Sequence, residues 1–333
     1  MNRYNINVNR LFIGFIVTCL LFFKVSFCTA QEAVKNYSIY TGMAKIQGTE
    51  QVLLRKMEKS GQPFYLVVNP QTLSTQLVPS AGIAVKQMSW TDTRVYFQNT
   101  PYFKALAAAG KQSLALQDAG IIHGYPKEKG ITLTIDLCPS HKPLDRIIFT
   151  SLITEFKKIE QPVPVALSIT GRWMLTHTDD LNWLKELVAK KEIDITWTNH
   201  TYNHHFSLTA PLKTNFLLEP GTDLNFEILG TELAMLQHGL LPSVFFRFPG
   251  LVSDQRVVDQ VLTYGIIPIG SDAWLAKGQK PGAGSIVLIH GNGNEPVGVE
   301  DFIRLLKSKA PDITNKQWLM YDLSESVEDE FGT

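Results

Sequence analysis

The chain has 333 residues, of which 44% are hydrophobic and 19% are charged, a composition typical of a globular protein. Lysine plus arginine equals aspartate plus glutamate at 31 each, and no block of basic residues is present, which argues against a nucleic acid partner. This length accommodates one large domain or two small ones.

The first thirty residues have the pattern of an export signal. Arg3 and Arg10 give a positive start, and residues 11–23 form an apolar run. The small residues of Cys28-Thr29-Ala30 then precede a cleavage site at Gln31. We therefore expect a protein that is exported to the periplasm or the extracellular space.

Lys24 interrupts the apolar run, which falls short of the roughly 20 apolar residues that a membrane span needs. We expect residues 1–30 to be a signal peptide and no stable membrane span to remain after its cleavage. A retained N-terminal anchor is the alternative. Cleavage would leave Cys138 as the one cysteine of the mature chain, which excludes an internal disulfide.

Residues 31–125 are interpreted as a small mixed α/β unit that carries no catalytic constellation. Its predicted elements are a helix at Glu50–Ser60, a strand at Phe64–Asn69, further strand at Gly82–Tyr96 and an alanine-rich helix at Tyr102–Leu116. Proline, charge and glycine at 126–130 mark a junction.

From residue 131 the pattern changes to alternating strands and helices, which predicts a parallel sheet covered by helices. Seven strands in one stretch favour a closed or nearly closed barrel over two domains. The predicted domain spans 126–325 and is followed by an acidic tail at 326–333. The predicted strands are Ile131–Leu137, Val163–Ile169, Asp194–Thr198, Val244–Phe248, Ile266–Ile269, Ser285–His290 and Trp318–Leu323.

Polar residues recur where these strands end. Chemistry in such barrels is placed at the carboxyl ends of the strands, so we expect their side chains to share one mouth. The residues are Asp136, His200, Arg247, Asp272, Trp274 and His290.

His200 and His204 are four residues apart in the sequence, and the distance between their side chains depends on the local conformation. In a continuous strand they would lie about 13 Å apart, whereas in a helical turn such positions are neighbours at about 5–6 Å. If both bind one metal, the strand must end near Asn199 and the chain must coil there. Thr201 stands where a zinc protease motif has its glutamate, so that chemistry lacks its base. The alternative is a polar loop with unrelated histidines.

Four short motifs resemble those of the NodB-type polysaccharide deacetylases, carbohydrate esterase family 4. The resemblance covers residues 130–323 and implies a distorted seven-stranded (β/α) barrel of NodB-homology type. The motifs are Thr134-Ile135-Asp136-Leu137-Cys138-Pro139, His200-Thr201-Tyr202-Asn203-His204, Arg247-Phe248-Pro249-Gly250 and Leu288-Ile289-His290.

The resemblance implies metal-assisted removal of N-acetyl groups from an amino-sugar polysaccharide or oligosaccharide. In that mechanism Asp136 is the base, Arg247 orients it, and His290 is the acid. His200 and His204 hold a divalent metal, with zinc favoured. The predicted substrate contacts are Trp274, Asp272 and Tyr202.

Leu137 departs from the family, which has a metal-binding aspartate at this position. Either Asp136 becomes a ligand, or His141 or His205 substitutes, or the site is metal-free. Two imidazoles alone make a weak site, so we expect zinc to be held weakly and turnover to be slow. Leu137→Asp would strengthen binding if the local backbone tolerates a carboxylate there.

Two other functions stay open, a non-catalytic glycan-binding relative and a metal-independent hydrolase of another linear amide. Simpler structural roles exist for each residue: a helix cap for Asp136, an ion pair for Arg247, a turn for His290 and a core position for Trp274. Cys138 is expected to be a buried small residue rather than a nucleophile, since no base adjoins it in sequence.

Overall fold

The structure is a computed structural model that describes residues 33–111, 116–127 and 129–331. The predicted signal peptide at residues 1–30 therefore lies outside the described residues. Within the described ranges, no helix has both the length and the apolar character needed to cross a membrane.

The N-terminal part is an antiparallel sheet of five strands in the order β4-β3-β2-β1-β5, followed by two short helices. Its elements are β1 (Val34–Ile46), β2 (Thr49–Lys59), β3 (Gln62–Val68), β4 (Thr75–Pro79), β5 (Val85–Gln87), α1 (Trp90–Tyr96) and α2 (Pro101–Ala109).

The helix predicted at Glu50–Ser60 is wrong, because this segment is strand β2. Val52 packs in one core and Leu53 in another, so β2 is buried on both faces and lacks the polar–apolar alternation of a half-exposed strand. The sequence signal for a strand lies at the two ends of β2. Gln47-Gly48 and Ser60-Gly61 are two-residue hairpin loops with positive φ at both positions.

Two other N-terminal predictions need smaller corrections. Of the strand predicted at Gly82–Tyr96, the structure keeps only β5, since Ser89 caps α1 by accepting a hydrogen bond from the Asp92 amide. The helix predicted at Tyr102–Leu116 ends at Ala109.

The rest of the chain builds a parallel sheet covered by helices. Its strands are β6 (Gly130–Leu137), β7 (Val163–Ile169), β8 (Ile193–Asn199), β9 (Phe245–Phe246), β10 (Ile267–Pro268), β11 (Ala273–Trp274), β12 (Ile286–His290) and β13 (Leu319–Met320). Its helices are α3 (Ile147–Phe156), α4 (Gly171–Thr176), α5 (Thr178–Ala189), α6 (Thr231–Gln237), α7 (Gln255–Thr263), α8 (Pro296–Thr314) and α9 (Leu323–Phe331).

Seven of these strands follow the order β10-β9-β8-β7-β6-β12-β11 and curl into a half-barrel, while β13 pairs with β6 off this path. The predicted class is confirmed: an α/β protein with a distorted seven-stranded barrel after an N-terminal sheet unit. Strand β11 was not predicted from the sequence. The segment predicted as an acidic tail is ordered as helix α9 through Phe331, with Val327 buried in a core that includes residues of α2.

Strand β6 runs through the centre of this sheet and is buried along its whole length. Leu133, Ile135 and Leu137 belong to the largest core, which they share with residues of α3 and α8. Alternation along the strand therefore turns Thr134 and Asp136 to the opposite face, toward the inside of the half-barrel.

The N-terminal sheet shares a core with the parallel sheet and a buried ion pair with helix α6. Arg55 of β2 donates two hydrogen bonds to Glu232 of α6, at 2.8 and 2.9 Å, and a third to the Tyr264 carbonyl oxygen at 2.7 Å. The arginine is 1% exposed. The division of the chain at residue 126 remains a prediction.

Candidate active site

Four of the residues predicted to share a mouth lie at the carboxyl ends of neighbouring strands. Asp136, the penultimate residue of β6, pairs in register with His290, the last residue of β12, and with Ser168 of β7. His200 follows directly after β8, and Arg247 follows directly after β9. The structure therefore brings Asp136, His200, Arg247 and His290 together.

The chain coils immediately after β8, which ends at Asn199 as the histidine spacing required. The Asn199 side-chain oxygen accepts a hydrogen bond from the Thr201 amide at 3.0 Å. Thr201 and His204 both have left-handed backbones, with φ of 69° and 48°. This coil places the rings of His200 and His204 4.8 Å apart.

The fully buried His200 is held in one tautomer. Its Nδ1 lies 2.9 Å from the Arg247 carbonyl oxygen, which can only accept, so Nδ1 carries the proton. Nε2 is thereby left with a free lone pair. That nitrogen lies 3.7 Å from Oδ2 of Asp136 and 3.6 Å from Sγ of Cys138.

Cys138 is buried, as predicted, but three imidazoles surround it. One ligand atom each from Cys138, His200 and His204 lie within 4.8 Å of one another. Burial alone would raise the pKa of the Cys138 thiol, but the charges of His204 and His290, together with the polar contacts to His200 and His204, hold that pKa well below its usual value. The grouping of Cys138 with three imidazoles is not visible in the sequence, because these histidines follow β8 or end β12, far from Cys138 along the chain.

The two other imidazoles respond to the same thiolate. Burial is the largest single influence on His204 and lowers its pKa, but the charge of Cys138, the contact with Cys138 and the charge of Asp136 together outweigh burial and raise the pKa. Burial likewise opposes a charged His290, whose pKa is nevertheless raised well above its usual value by Cys138 and by a hydrogen bond to Glu295.

Glu295 is a site residue that sequence reasoning missed. Its Oε2 lies 2.8 Å from Nδ1 of His290 and accepts a hydrogen bond from the Trp274 indole, also at 2.8 Å. The Trp274 and His290 rings are 5.8 Å apart, so the predicted substrate residue Trp274 does lie beside the site. The available signal was a carboxylate five residues after His290 in a glycine- and asparagine-rich loop.

Arg247 is fully buried. It makes no hydrogen bond to Asp136, and its interaction with that carboxylate is electrostatic. Its Nη2 donates to the Thr134 hydroxyl at 2.7 Å, whereas Nε and Nη1 have no hydrogen-bond partner among the described residues. Burial lowers the pKa of the guanidinium, and the charges of Asp136 and Asp118 oppose that shift.

The structure separates Asp272 from the other predicted residues. Its carboxylate pairs with His123 at 2.6 Å and accepts from the Ile286 amide at 3.1 Å. Ile286 begins β12 and His290 ends it, a span of about 13 Å along the strand. A substrate contact by Asp272 therefore has no geometric support.

Tyr202 lies beside the site at the edge of a groove. Its ring packs on Phe226 at 4.8 Å and borders a depression that Pro139 and Arg172 also line. His204 and Pro139 line an adjoining part of the groove. The groove therefore leads to the cysteine–histidine cluster, which consists of Cys138, His200 and His204.

Of the residues considered in place of a second motif aspartate, His141 and His205 lie outside the cysteine–histidine cluster, whereas Oδ2 of Asp136 lies 3.7 Å from Nε2 of His200. His205 is 61% exposed and pairs with Glu219, and His141 is also exposed. Leu137 is fully buried in the largest core. Among the described residues, Cys138 forms one group of potential metal donors with His200 and His204, and two imidazoles with one thiolate are a donor set that suits zinc.

The comparisons with known proteins give one family match and a set of structural likenesses. Residues 35–103 match the family described as RP012 protein N-terminal domain. A family 4 carbohydrate esterase from Bacillus anthracis is 21% identical with a TM-score of 0.47, over 68% of this chain and 91% of that chain.

Two further solved structures are similar at lower identity. A family 4 pseudoenzyme from Bacillus anthracis is 13% identical with a TM-score of 0.43, over 90% of this chain and 91% of that one. The family 4 carbohydrate esterase PdaA from Bacillus subtilis is 15% identical with a TM-score of 0.44, over 66% of this chain and 95% of that one. Identities of this size do not establish membership of the family.

Proposed function

We propose that the protein is an exported hydrolase that removes N-acetyl groups from an amino-sugar polysaccharide or oligosaccharide. The observation that carries this proposal is the meeting of three polar side chains at one sheet edge. Oδ2 of Asp136 lies 3.7 Å from Nε2 of His200, and His290 is the register partner of Asp136 on β12.

Asp136 and His290 divide the proton transfers between them. Asp136 takes a proton from a water molecule while the oxygen of that water bonds to the acetyl carbonyl carbon. Its Oδ1 has no hydrogen-bond partner among the described residues, so this oxygen can accept that proton. His290 then gives a proton to the sugar nitrogen as the carbon–nitrogen bond breaks, which leaves acetate and a free amine.

His200 and His204 would hold a divalent metal, with zinc favoured by the imidazole donors. Such an ion supplies Lewis acidity toward an amide carbonyl and lowers the pKa of a water that it binds. Arg247 places a buried positive charge near Asp136. Glu295 holds His290 through Nδ1, which leaves Nε2 as the atom that transfers the proton.

The groove beside the cluster suits a sugar chain better than an apolar ligand. Arg172, Asn203 and Glu219 provide polar groups along it, and Phe206 and Phe216 provide aromatic faces. The Trp274 ring lies 5.8 Å from the His290 ring and would add a stacking surface. We assign the substrate contacts to this groove and to Trp274.

Acetate release from N-acetylated chito-oligosaccharides tests the proposal directly. With zinc supplied, the wild type should release acetate, and Asp136→Asn should be slower by about 10²–10⁴-fold because the base is lost. Asp259→Asn, a change of an exposed carboxylate on α7, is the matched control and should be as active as the wild type. No acetate above a protein-free blank, or equal rates for Asp136→Asn and wild type, would sink the proposal.

Export has its own test. N-terminal sequencing of the protein from the producing cell should find a chain that begins near Gln31. An intact Met1 on protein recovered from the cytosol would contradict export without touching the assignment of the site.

A further inference from the structure

We propose that the Cys138 thiolate is the third protein ligand of the metal ion, which makes the centre a cysteine–histidine–histidine site. The inference rests on the metal site of the proposed function. It names a ligand that neither the motif resemblance nor the histidine spacing supplies.

The donor atoms are spaced as a zinc ion requires. In a tetrahedral zinc site, bond lengths of about 2.3 Å to sulfur and about 2.0–2.1 Å to nitrogen place the two donor atoms about 3.6 Å apart. Sγ of Cys138 and Nε2 of His200 are 3.6 Å apart. The donor atoms of all three residues lie within 4.8 Å of one another, so a small adjustment of His204 completes the set.

Both histidines have a ring nitrogen that is available to bind a metal ion. The Arg247 carbonyl fixes the proton of His200 on Nδ1 and turns the lone pair of Nε2 to Cys138. His204 has a buried Nε2 with no hydrogen-bond partner among the described residues. A buried imidazole nitrogen without a partner is costly, and a metal ion would satisfy it.

The backbone of Cys138 is fixed by a buried side chain outside the donor group. Its carbonyl oxygen accepts a hydrogen bond at 2.8 Å from the side chain of Asn292, which is fully buried in the loop after β12. This bond fixes the backbone of Cys138 against the strand that carries His290. Outer contacts of this kind orient the residues that bind a metal.

A thiolate also changes the expected chemistry of the centre. It contributes the negative charge that Leu137 cannot, so Asp136 need not bind the ion and stays free to act as base. Three protein ligands leave one tetrahedral position for water or substrate, as in catalytic zinc sites. The soft sulfur donor favours zinc over magnesium or calcium.

Cobalt substitution tests the ligand without relying on catalysis. The probe is Co²⁺ alone, added to protein in which Cys19→Ser and Cys28→Ser leave Cys138 as the one thiol. We expect one equivalent of Co²⁺ to produce a thiolate-to-metal charge-transfer band in the near ultraviolet. Cys138→Ser, which is nearly the same size, should abolish the band and weaken zinc affinity by about 10–100-fold or more.

Alkylation with iodoacetamide provides a second measurement. Zinc should protect Cys138 from alkylation in the parent protein, whereas in His204→Ala the protection should be lost at the same zinc concentration. Cobalt binding without the band, no cobalt binding at all, or a thiol that zinc leaves equally reactive would each overturn the ligand assignment.

The two proposals fail separately. A charge-transfer band in protein that releases no acetate would leave the cysteine ligand standing and contradict the deacetylase function. Acetate release by protein that shows no charge-transfer band would contradict the cysteine ligand and leave the deacetylase function standing.

Discussion

Glu295 Oε2 lies 2.8 Å from Nδ1 of His290 and accepts the indole hydrogen of Trp274 at the same distance. One carboxylate oxygen therefore fixes both the histidine that would protonate the leaving group and the aromatic ring beside it. The pKa of Glu295 is lowered, since its hydrogen bonds and the charge of His290 outweigh the effect of burial.

Glu295→Gln should slow acetate release mainly through kcat, because the amide removes the charge that stabilises protonated His290 while keeping a similar shape. We expect a decrease of about 10-fold or more, below the 10²–10⁴ of a complete loss of acid catalysis. Trp274→Phe, which leaves the Glu295–His290 pair in place, is the companion variant and should affect KM more than kcat. Steady-state kinetics on N-acetylated chito-oligosaccharides separates the two, and an unchanged kcat in Glu295→Gln would remove Glu295 from the mechanism.

Leu137→Asp should destabilise the protein rather than complete the metal site. The condition set by the sequence, a backbone that tolerates a carboxylate, is not met, because Leu137 is fully buried in the largest core. An unpaired carboxylate there should lower the free energy of unfolding by about 4 kcal/mol or more. Leu137→Met, a volume-conserving control, should cost less than about 1.5 kcal/mol. Urea denaturation measures both, and a stable Leu137→Asp with tighter zinc binding would show that the side chain reaches the metal.

Arg55→Met should strongly destabilise the contact between the N-terminal sheet and α6. Removing the arginine leaves Glu232 charged and buried, a change that typically costs about 3–5 kcal/mol. The double variant Arg55→Met/Glu232→Leu removes both charges and should recover much of that loss. If the single and double variants unfold at the same urea concentration, the pair is not coupled.

His238→Asn should make the stability of the protein less sensitive to acid. Burial of the ring, with a smaller effect from Lys185, lowers the pKa of His238 below its unfolded value of about 6.5. Between the folded and unfolded pKa the unfolded chain binds more protons, so the contribution of His238 is present above the unfolded pKa and is lost as pH falls through this window. The drop in melting temperature from neutral pH to about pH 5 should therefore be smaller in His238→Asn, and an equal or larger drop would contradict it.

Sequence reasoning succeeded where one periodic pattern decided the structure. Alternation along β6 correctly assigned Leu137 to the core and Asp136 to the opposite face, and the spacing of His200 and His204 correctly required β8 to end at Asn199. Both inferences depend on local geometry alone.

Sequence reasoning failed where burial or long-range contact decided the structure. Burial on both faces hides the strand pattern of β2. The sequence also does not show that Cys138 meets imidazoles from the coil after β8 and from the end of β12. Asp272 resembled a site residue by its position after a strand, but β11 and the start of β12 hold it at the other end of the sheet. No pattern within a single segment reports such contacts.

The central claim is that a metal ion held at His200 and His204 assists amide hydrolysis, and one chelation experiment tests it. Acetate release from N-acetylated chito-oligosaccharides is measured on one zinc-loaded preparation, after removal of the metal with a strong chelator, and after return of one equivalent of zinc. The account predicts that chelation abolishes acetate release, that zinc restores it in the wild type, and that zinc fails to restore it in His204→Ala. Acetate release that survives complete removal of the metal would contradict the account.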